Sequence, residues 1–386
     1  MTLQHFLEHK PLFYEVIDTT RMPHAYQSVK EHFKLPRIIH IVGTNGKGTT
    51  GRFLAQMLHS CGLHVGHYTS PHIVKFNERI WIDKQDIDDE TLEFYHQKLL
   101  SILSVQFQES LSYFEYTTLL AMLIFCDQCD FVVLEAGLGG EFDATNVFEK
   151  VLSIVTPIGI DHQAFLGESI REIAQTKINS VKNNCVLAKQ YEQEVYGIAR
   201  DKASQIDKKL FEVASFFDEA TCEDITSFVS KQGYSAFLGD NFATAFCALR
   251  VLGYDNGLDD LQALSLQGRC QKIYPNVTLD VGHNEMAAHA LVHHFGKNKV
   301  ILVYNSLKDK NYHAILEILK PIVLEIQVIE IQSQRTAEKE ALYRVADFFD
   351  IPISPFLGIK DDKEYLVFGS FLVAEAFLKG QAPNHK

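Results

Sequence analysis

Ile39-His40-Ile41-Val42-Gly43-Thr44-Asn45-Gly46-Lys47-Gly48-Thr49-Thr50 runs from a short apolar segment into a glycine-rich turn that carries one lysine and then two hydroxyl residues. The order reads as a strand, a phosphate cradle and a helix start. Gly43, Gly46 and Gly48 have no side chains, so backbone N–H groups can approach phosphate oxygens, while Lys47 offers a point charge and Thr49 a hydroxyl for Mg²⁺. Phe53, Leu54, Met57, Leu58 and Cys61 follow at helical spacing, which puts the turn at a helix N-terminus where the macrodipole favours anions. The expected ligand is a nucleoside triphosphate. Gly48 separates Lys47 from Thr49, a departure from the general phosphate-loop spacing, and a plain glycine turn between strand and helix is the alternative.

Further motifs follow. Thr69-Ser70-Pro71-His72 and Phe76-Asn77-Glu78-Arg79-Ile80 come first, then Leu134-Glu135-Ala136-Gly137-Leu138-Gly139-Gly140 with Asp143-Ala144-Thr145-Asn146. Ile160-Asp161-His162 with Leu166-Gly167, and Leu279-Asp280-Val281-Gly282-His283-Asn284, complete the series. Together with the phosphate loop these resemble, in order, the motifs of the folylpolyglutamate synthase and dihydrofolate synthase family of the Mur ligase superfamily, over nearly the whole chain. The resemblance implies an α/β fold: a Mur-ligase-like P-loop ATPase domain with a parallel sheet, then a smaller Rossmann-like α/β C-terminal domain. It implies ATP and Mg²⁺ as cofactors, with two metal ions and room for a monovalent cation. The implied activity is ATP-dependent ligation of L-glutamate to 7,8-dihydropteroate, to folylpolyglutamate, or to both, through an acyl phosphate. Ser110 to Tyr116 looks like the bifunctional bacterial form. A polyglutamate-only ligase, another Mur-type ligase and an inactive nucleotide-binding relative are the alternatives.

Phe131-Val132-Val133-Leu134 reads as a continuous buried strand that delivers Glu135 just before a glycine-rich turn, where a hard Mg²⁺ ion would accept the carboxylate. Val151 to Pro157 is a second such strand, leading to Asp161 and His162. The residues alone leave His162 open between metal ligand and polar loop residue, and Ser70 reads first as a turn cap before Pro71. The resemblance makes Ser70, Glu135 and His162 metal ligands and Lys47, His162 and Lys177 catalytic. It assigns nucleotide binding to Asn45, Gly46, Lys47, Gly48, Thr49, Asn241, Arg269, Asp280 and His283. It assigns pteroate or folate binding to Asp18, Ser112, Tyr113, Phe114, Glu115, Phe142, Asp143 and Ala144, with Phe114 as the stacking surface for a flat heterocycle.

Three positions carry a competing local reading. Asn241 reads as the N-cap that opens a helix. Lys177 matches a family lysine that is carbamylated, yet the usual Glu-Lys-Ala-Gly-Ile is here Thr176-Lys177-Ile178-Asn179-Ser180. Lys182 is its rival, and an unmodified lysine on a solvated helix face is the ordinary reading. Gly282 stands where the family usually has alanine, and the smaller residue is expected to be tolerated.

Alternating strand and helix patterns, with strands at 38–42, 131–135, 151–156, 185–188, 277–281, 299–303, 324–330 and 365–368, predict doubly wound α/β layers. The polar stretch around 256–276, with Gly257, Gly268 and Pro275, predicts an ATP-binding domain over 1–272 and a glutamate-ligase domain over 273–386. The 386 residues suffice for two or three domains, and 46% hydrophobic with 22% charged residues is an ordinary globular composition. A net charge of −13 argues against nucleic-acid or anionic-membrane surfaces, so anionic small molecules must be drawn in by local lysines, arginines and helix ends. Without a signal core or an apolar run of spanning length, a cytoplasmic protein is expected, taken to be a monomer acting on ATP, L-glutamate and pteroate or folates. The seven cysteines have no framework spacing, and Cys126-Asp127-Gln128-Cys129 reads as ordinary thiols rather than a metal or redox pair.

Overall fold

The computed structural model describes residues 1–11, 18–255, 258 and 261–381; Gly257, expected in the stretch between domains, lies outside them. The chain divides into two compact units. The first comprises residues 1–159, 163–232 and 239–265, and the second 160–162, 233–238 and 266–386. The division after Ser265 precedes the break expected at 272, because Gln271–Tyr274 is itself a strand of the second unit's sheet.

The first unit is built on eight strands: β1 (Arg37–Val42), β2 (Val65–Tyr68), β3 (Ile80–Ile82), β4 (Gln85–Asp86), β5 (Phe131–Glu135), β6 (Leu152–Val155), β7 (Cys185–Leu187) and β8 (Leu210–Glu212). Their order is β4-β3-β2-β5-β1-β6-β7-β8, parallel from β2 to β8 with β3 and β4 joined antiparallel at one edge. β1 lies inside the sheet, with Ile41 opposite Glu135 on one side and Val42 opposite Val155 on the other. Ile38 to Val42 are all buried, as a parallel strand covered on both faces requires.

Helix Tyr113–Gln128 is buried from Glu115 to Phe125, so it packs on all sides rather than along one stripe. A capping box starts it: Glu115 N–H donates to Ser112 Oγ (3.3 Å) and Ser112 N–H to Glu115 Oε2 (2.7 Å). It ends at the cysteine pair, where burial pushes the Cys126 thiol up to about 12 and the Cys129 thiol up as well, away from thiolate chemistry. Helix Ala236–Val251 begins after the Gly233 turn, so Asn241 stands inside it and is not its N-cap.

The second unit has β9 (Gln271–Tyr274), β10 (Val277–Leu279), β11 (Val300–Tyr304), β12 (Val323–Val328), β13 (Ile353–Pro355) and β14 (Tyr365–Phe368), ordered β13-β12-β11-β14-β10-β9. All pairings are parallel except that of β9 with β10. Among the described residues no helix is long and apolar enough to cross a membrane.

Two glycines next to helix Lys47–Ser60 test how tightly the loop is built. Gly43 has φ +151°, and a Cβ there would lie 2.0 Å from Thr156 Oγ1; Gly62, at φ +82°, has nothing within 4 Å of such an atom. Gly62→Ala is expected to cost about 1–2 kcal/mol, the strain of a left-handed L-residue. Gly43→Ala should cost at least about 2 kcal/mol more, because Thr156 must also move. Urea midpoints of the two variants check this, and equal losses would refute the close approach.

Candidate active site

The phosphate loop is held from behind. Thr44 and Asn45 donate their N–H groups to Pro157 O at 2.9 and 3.2 Å, and Gly159 N–H donates to Thr44 Oγ1 at 3.0 Å. Asn45 therefore spends its amide on the loop's own support. Lys47 opens helix Lys47–Ser60 behind Gly46, so residues 46 to 49 supply the first-turn amides that a helix leaves unpaired. Lys47 Nζ donates to Gly43 O and Thr44 O, each at 3.2 Å, and lies 3.8 Å from Glu135 Oε1. Asn241 closes over the turn: a Cβ on Gly46, itself at φ +82°, would come within 2.3 Å of Asn241 Oδ1. Thr50 Oγ1 also approaches that oxygen, at 3.4 Å.

Glu135 ends β5 with its carboxylate almost fully covered, and Oε2 accepts Thr69 Oγ1–H and, at 3.3 Å, Ser70 N–H. The structure thus brings Lys47, Ser70 and Glu135 together within the first unit. It adds Thr69, a Glu135 partner that the sequence reading passed over although it adjoins Ser70. Lys177 is buried, 4% exposed, and donates from Nζ to Gly43 O at 3.0 Å, whereas Lys182 is exposed. The ordinary expectation of a solvated Lys177 is therefore corrected. Its helix, Ile170–Ile178, turns the Ile173, Ala174, Lys177 and Ile178 face inward.

His162 belongs to the second unit and adopts φ +54°. There it joins Asp161 and His283, whose ligand atoms and its own lie within 4.8 Å of one another. His283 Nε2 is 3.5 Å from Asp161 Oδ2, Asn284 Nδ2 donates to the same oxygen at 3.3 Å, and Lys310 ion-pairs with Oδ1. Burial alone would raise the Asp161 pKa, but the His283 hydrogen bond and the charges of His283, His162 and Lys310 hold it well below the usual carboxylate range. Lys310, in Lys308-Asp309-Lys310, had no signal in the sequence beyond its charge.

Asp280 spends both oxygens on backbone: Gly282 N–H donates to Oδ1 at 2.7 Å and Cys270 N–H to Oδ2 at 2.9 Å. Burial raises its pKa, against these amides and Arg269. Arg269 sits over the Phe371 ring at 5.3 Å and donates to Gly268 O at 3.2 Å. Gly282 is close-packed, since a Cβ there would lie 2.6 Å from Ala287 Cβ and 2.7 Å from Phe368 Cε2. The glycine is more than tolerated; its neighbours occupy the space an alanine needs.

Of the residues expected at the heterocycle, Phe114 stacks on Tyr68 (5.8 Å, 26°) and lies against Gly137, while Phe142 is 60% exposed. Tyr113 lies under Arg79, 5.2 Å from its ring. Glu115 is held by Arg21 at 2.9 Å as well as by Ser112, and exposed Asp18 accepts from Thr20 and Arg21 N–H at the start of helix Arg21–Val29. The Thr20 hydroxyl bond, chiefly, lowers the Asp18 pKa. Asp143 and Ala144 are buried.

A chain with this arrangement is 32% identical over 342 residues to the dihydrofolate synthase/folylpolyglutamate synthase of Haemophilus influenzae, covering 78% of this chain and 76% of that protein. The chain belongs to the dihydrofolate synthase/folylpolyglutamate synthase family. Its fold matches that of Helicobacter pylori folylpolyglutamate synthetase at TM-score 0.80 and 37% identity, covering 98% of this chain and 97% of that one. It also matches the bifunctional folylpolyglutamate synthase/dihydrofolate synthase of Yersinia pestis, solved with AMPPNP and a Mn ion, at TM-score 0.82 and 25% identity over 98% and 96% of the two chains. A scan against models of protein families matched none.

The geometry around Glu135 separates charge from shape. Glu135→Gln keeps an oxygen for the Thr69 and Ser70 donors but removes the anion beside Lys47. Divalent-cation affinity, read by Mn²⁺ titration, should fall at least about tenfold while the melting temperature changes little. Unchanged Mn²⁺ affinity in a variant that melts lower would make Glu135 a packing residue.

Proposed function

We propose that the chain ligates L-glutamate both to 7,8-dihydropteroate and to reduced folates already carrying glutamate. The observation that carries this reading is the covered Glu135 carboxylate, with Ser70 beside it and Lys47 on the adjoining phosphate loop. A carboxylate does not condense with an amine in neutral water, so the acceptor's carboxylate first takes the γ-phosphoryl group of ATP. ADP leaves, and the glutamate amine then attacks the acyl phosphate carbonyl, loses a proton and expels phosphate. Lys47 and the first-turn amides of its helix stabilise the charge that spreads over the phosphoryl oxygens.

Glu135 and Ser70 are oxygen donors of the kind a hard divalent ion takes, and such an ion, when bound, neutralises phosphate charge. In this proposal two Mg²⁺ ions serve the reaction. The buried Lys177, if its amine took up CO₂ and released a proton, would supply a carboxylate able to hold the second. His162 keeps a metal-facing role, standing with Asp161 and His283. The first unit is read as the ATP-binding part and the second as the glutamate-ligase part. The polyglutamate-only reading draws on one observation, that Glu115, expected at the pteroate, is already engaged by Arg21 and Ser112.

Purified protein with ATP, Mg²⁺ and labelled glutamate should incorporate label with dihydropteroate and with tetrahydrofolate; label with tetrahydrofolate alone would favour the polyglutamate-only enzyme, and none with either would overturn the proposal. Lys47→Ala should lower kcat/KM about a hundredfold or more while folding normally.

For Lys177, intact mass in bicarbonate should show the added carboxylate. Lys177→Ala should be inactive and partly rescued by a short-chain carboxylic acid, with Lys182→Ala close to wild type. A fully active Lys177→Ala would show that this chain dispenses with the modification.

A further inference from the structure

His40 sits in the interior of β1, fully buried, with Nε2 2.8 Å from the Oγ1 of Thr145, also fully buried. Thr145 Oγ1 donates to Asp143 Oδ1 at 2.5 Å, and Thr145 N–H donates to the same oxygen at 2.9 Å. The other carboxylate oxygen accepts Leu138 N–H at 2.9 Å. A threonine hydroxyl has one proton, and here it goes to Asp143, which burial pushes up in pKa but which two backbone N–H donors hold as an accepting carboxylate. The contact with His40 must therefore be made by a ring N–H. That fixes the tautomer: Nε2 carries the proton and Nδ1 the lone pair. Nδ1 is indeed buried without a hydrogen-bond partner among the described residues. Burial, and then the charge of Lys150, hold the ring's pKa well below its ordinary value, in keeping with a neutral imidazole.

The chain His40, Thr145, Asp143, Leu138 ends in a glycine-rich loop that has few side chains with which to fix itself. On its other flank Gly140 is pressed on the helix carrying Lys177, where a Cβ would lie 2.7 Å from Lys177 O, and Glu141 N–H donates to Thr176 O at 3.0 Å. We infer that His40 is a positioning residue: as the Nε2–H tautomer it orients Thr145 and Asp143 and so sets the loop 136–143 between Glu135 and Lys177. Its effect on catalysis rests on the proposed function, with Phe142, Asp143 and Ala144 at the pteroate or folate as the family resemblance implies.

His40→Gln places an amide N–H near the position of Nε2–H, His40→Leu removes the donor, and Thr145→Val breaks the same chain. His40→Leu and Thr145→Val should each raise KM for tetrahydrofolate about tenfold and KM for ATP less than about twofold. The double variant should be no worse than the weaker single, and His40→Gln should recover KM to within about threefold of wild type. Hydrogen exchange over residues 138–141 should quicken in His40→Leu and Thr145→Val but not in His40→Gln. Nitrogen-15 spectra at pH 7 should show the His40 ring protonated at Nε2 alone. A ring protonated at Nδ1, unchanged exchange in both disrupted variants, or additive KM losses would overturn the inference. If His40→Leu fails to fold, Thr145→Val and the ring spectrum decide it. Should the wild type not ligate glutamate, the proposed function falls, while exchange and the ring spectrum still judge the positioning role.

Discussion

The phosphate end of the first unit depends on one strand being paired in parallel on both sides. With β1 between β5 and β6, and with Ile41 facing Glu135 and Val42 facing Val155, three carboxyl ends stop at one level. Gly43, Glu135 and Thr156 are then obligatory neighbours, and Val42 O and Ile41 O accept the N–H groups of Thr156 and Ala136 as the flanking strands run out. A slip of one residue would turn every side chain of β1 to the other face and take Glu135 away from Lys47. The ladder is thus what converts a loop of small residues into a shaped site, in agreement with the rule that open α/β sheets present ligands at strand carboxyl ends.

Legibility followed burial on both faces. Phe131 to Leu134 and Tyr365 to Phe368 are uninterrupted apolar runs, Ile38 to Val42 is broken only by His40, and all three form strands where the sequence placed them. β2 is Val65-Gly66-His67-Tyr68, whose glycine and histidine hide a fully buried strand. Helix Gln193–Gln205 buries only Val195, Tyr196, Ala199 and Ala203, a stripe too narrow to show against its polar residues. At the site, motif residues with charge were readable, whereas partners that act through geometry were not. The family match favours Lys177 over Lys182, but the altered residues around it gave no sign that it is buried and Lys182 exposed, and nothing ties Thr69 to Glu135 or His40 to Thr145.

The short segment Ile160–His162 shows why sequence order misleads about membership. It follows β6 by a few residues, yet it belongs to the second unit. The pull is electrostatic. Asp161, its carboxylate 8% exposed, is matched by the Lys310 ammonium and by His283, and an ion that has lost water is held by the groups that compensate it. Those groups lie more than a hundred positions further on, beyond the reach of any local pattern.

The crowding at Gly282 has a consequence for how sequences of this family can diverge. A methyl group there meets the methyl of Ala287 and the edge of the Phe368 ring, both packed into the second unit, so the three positions form one epistatic set. The same methyl also comes within 2.8 Å of Asp280 Oδ1, so shrinking one neighbour alone does not clear the space an alanine at 282 needs. Position 282 is thus coupled to residues 280, 287 and 368 together, and growth there asks all three to give way.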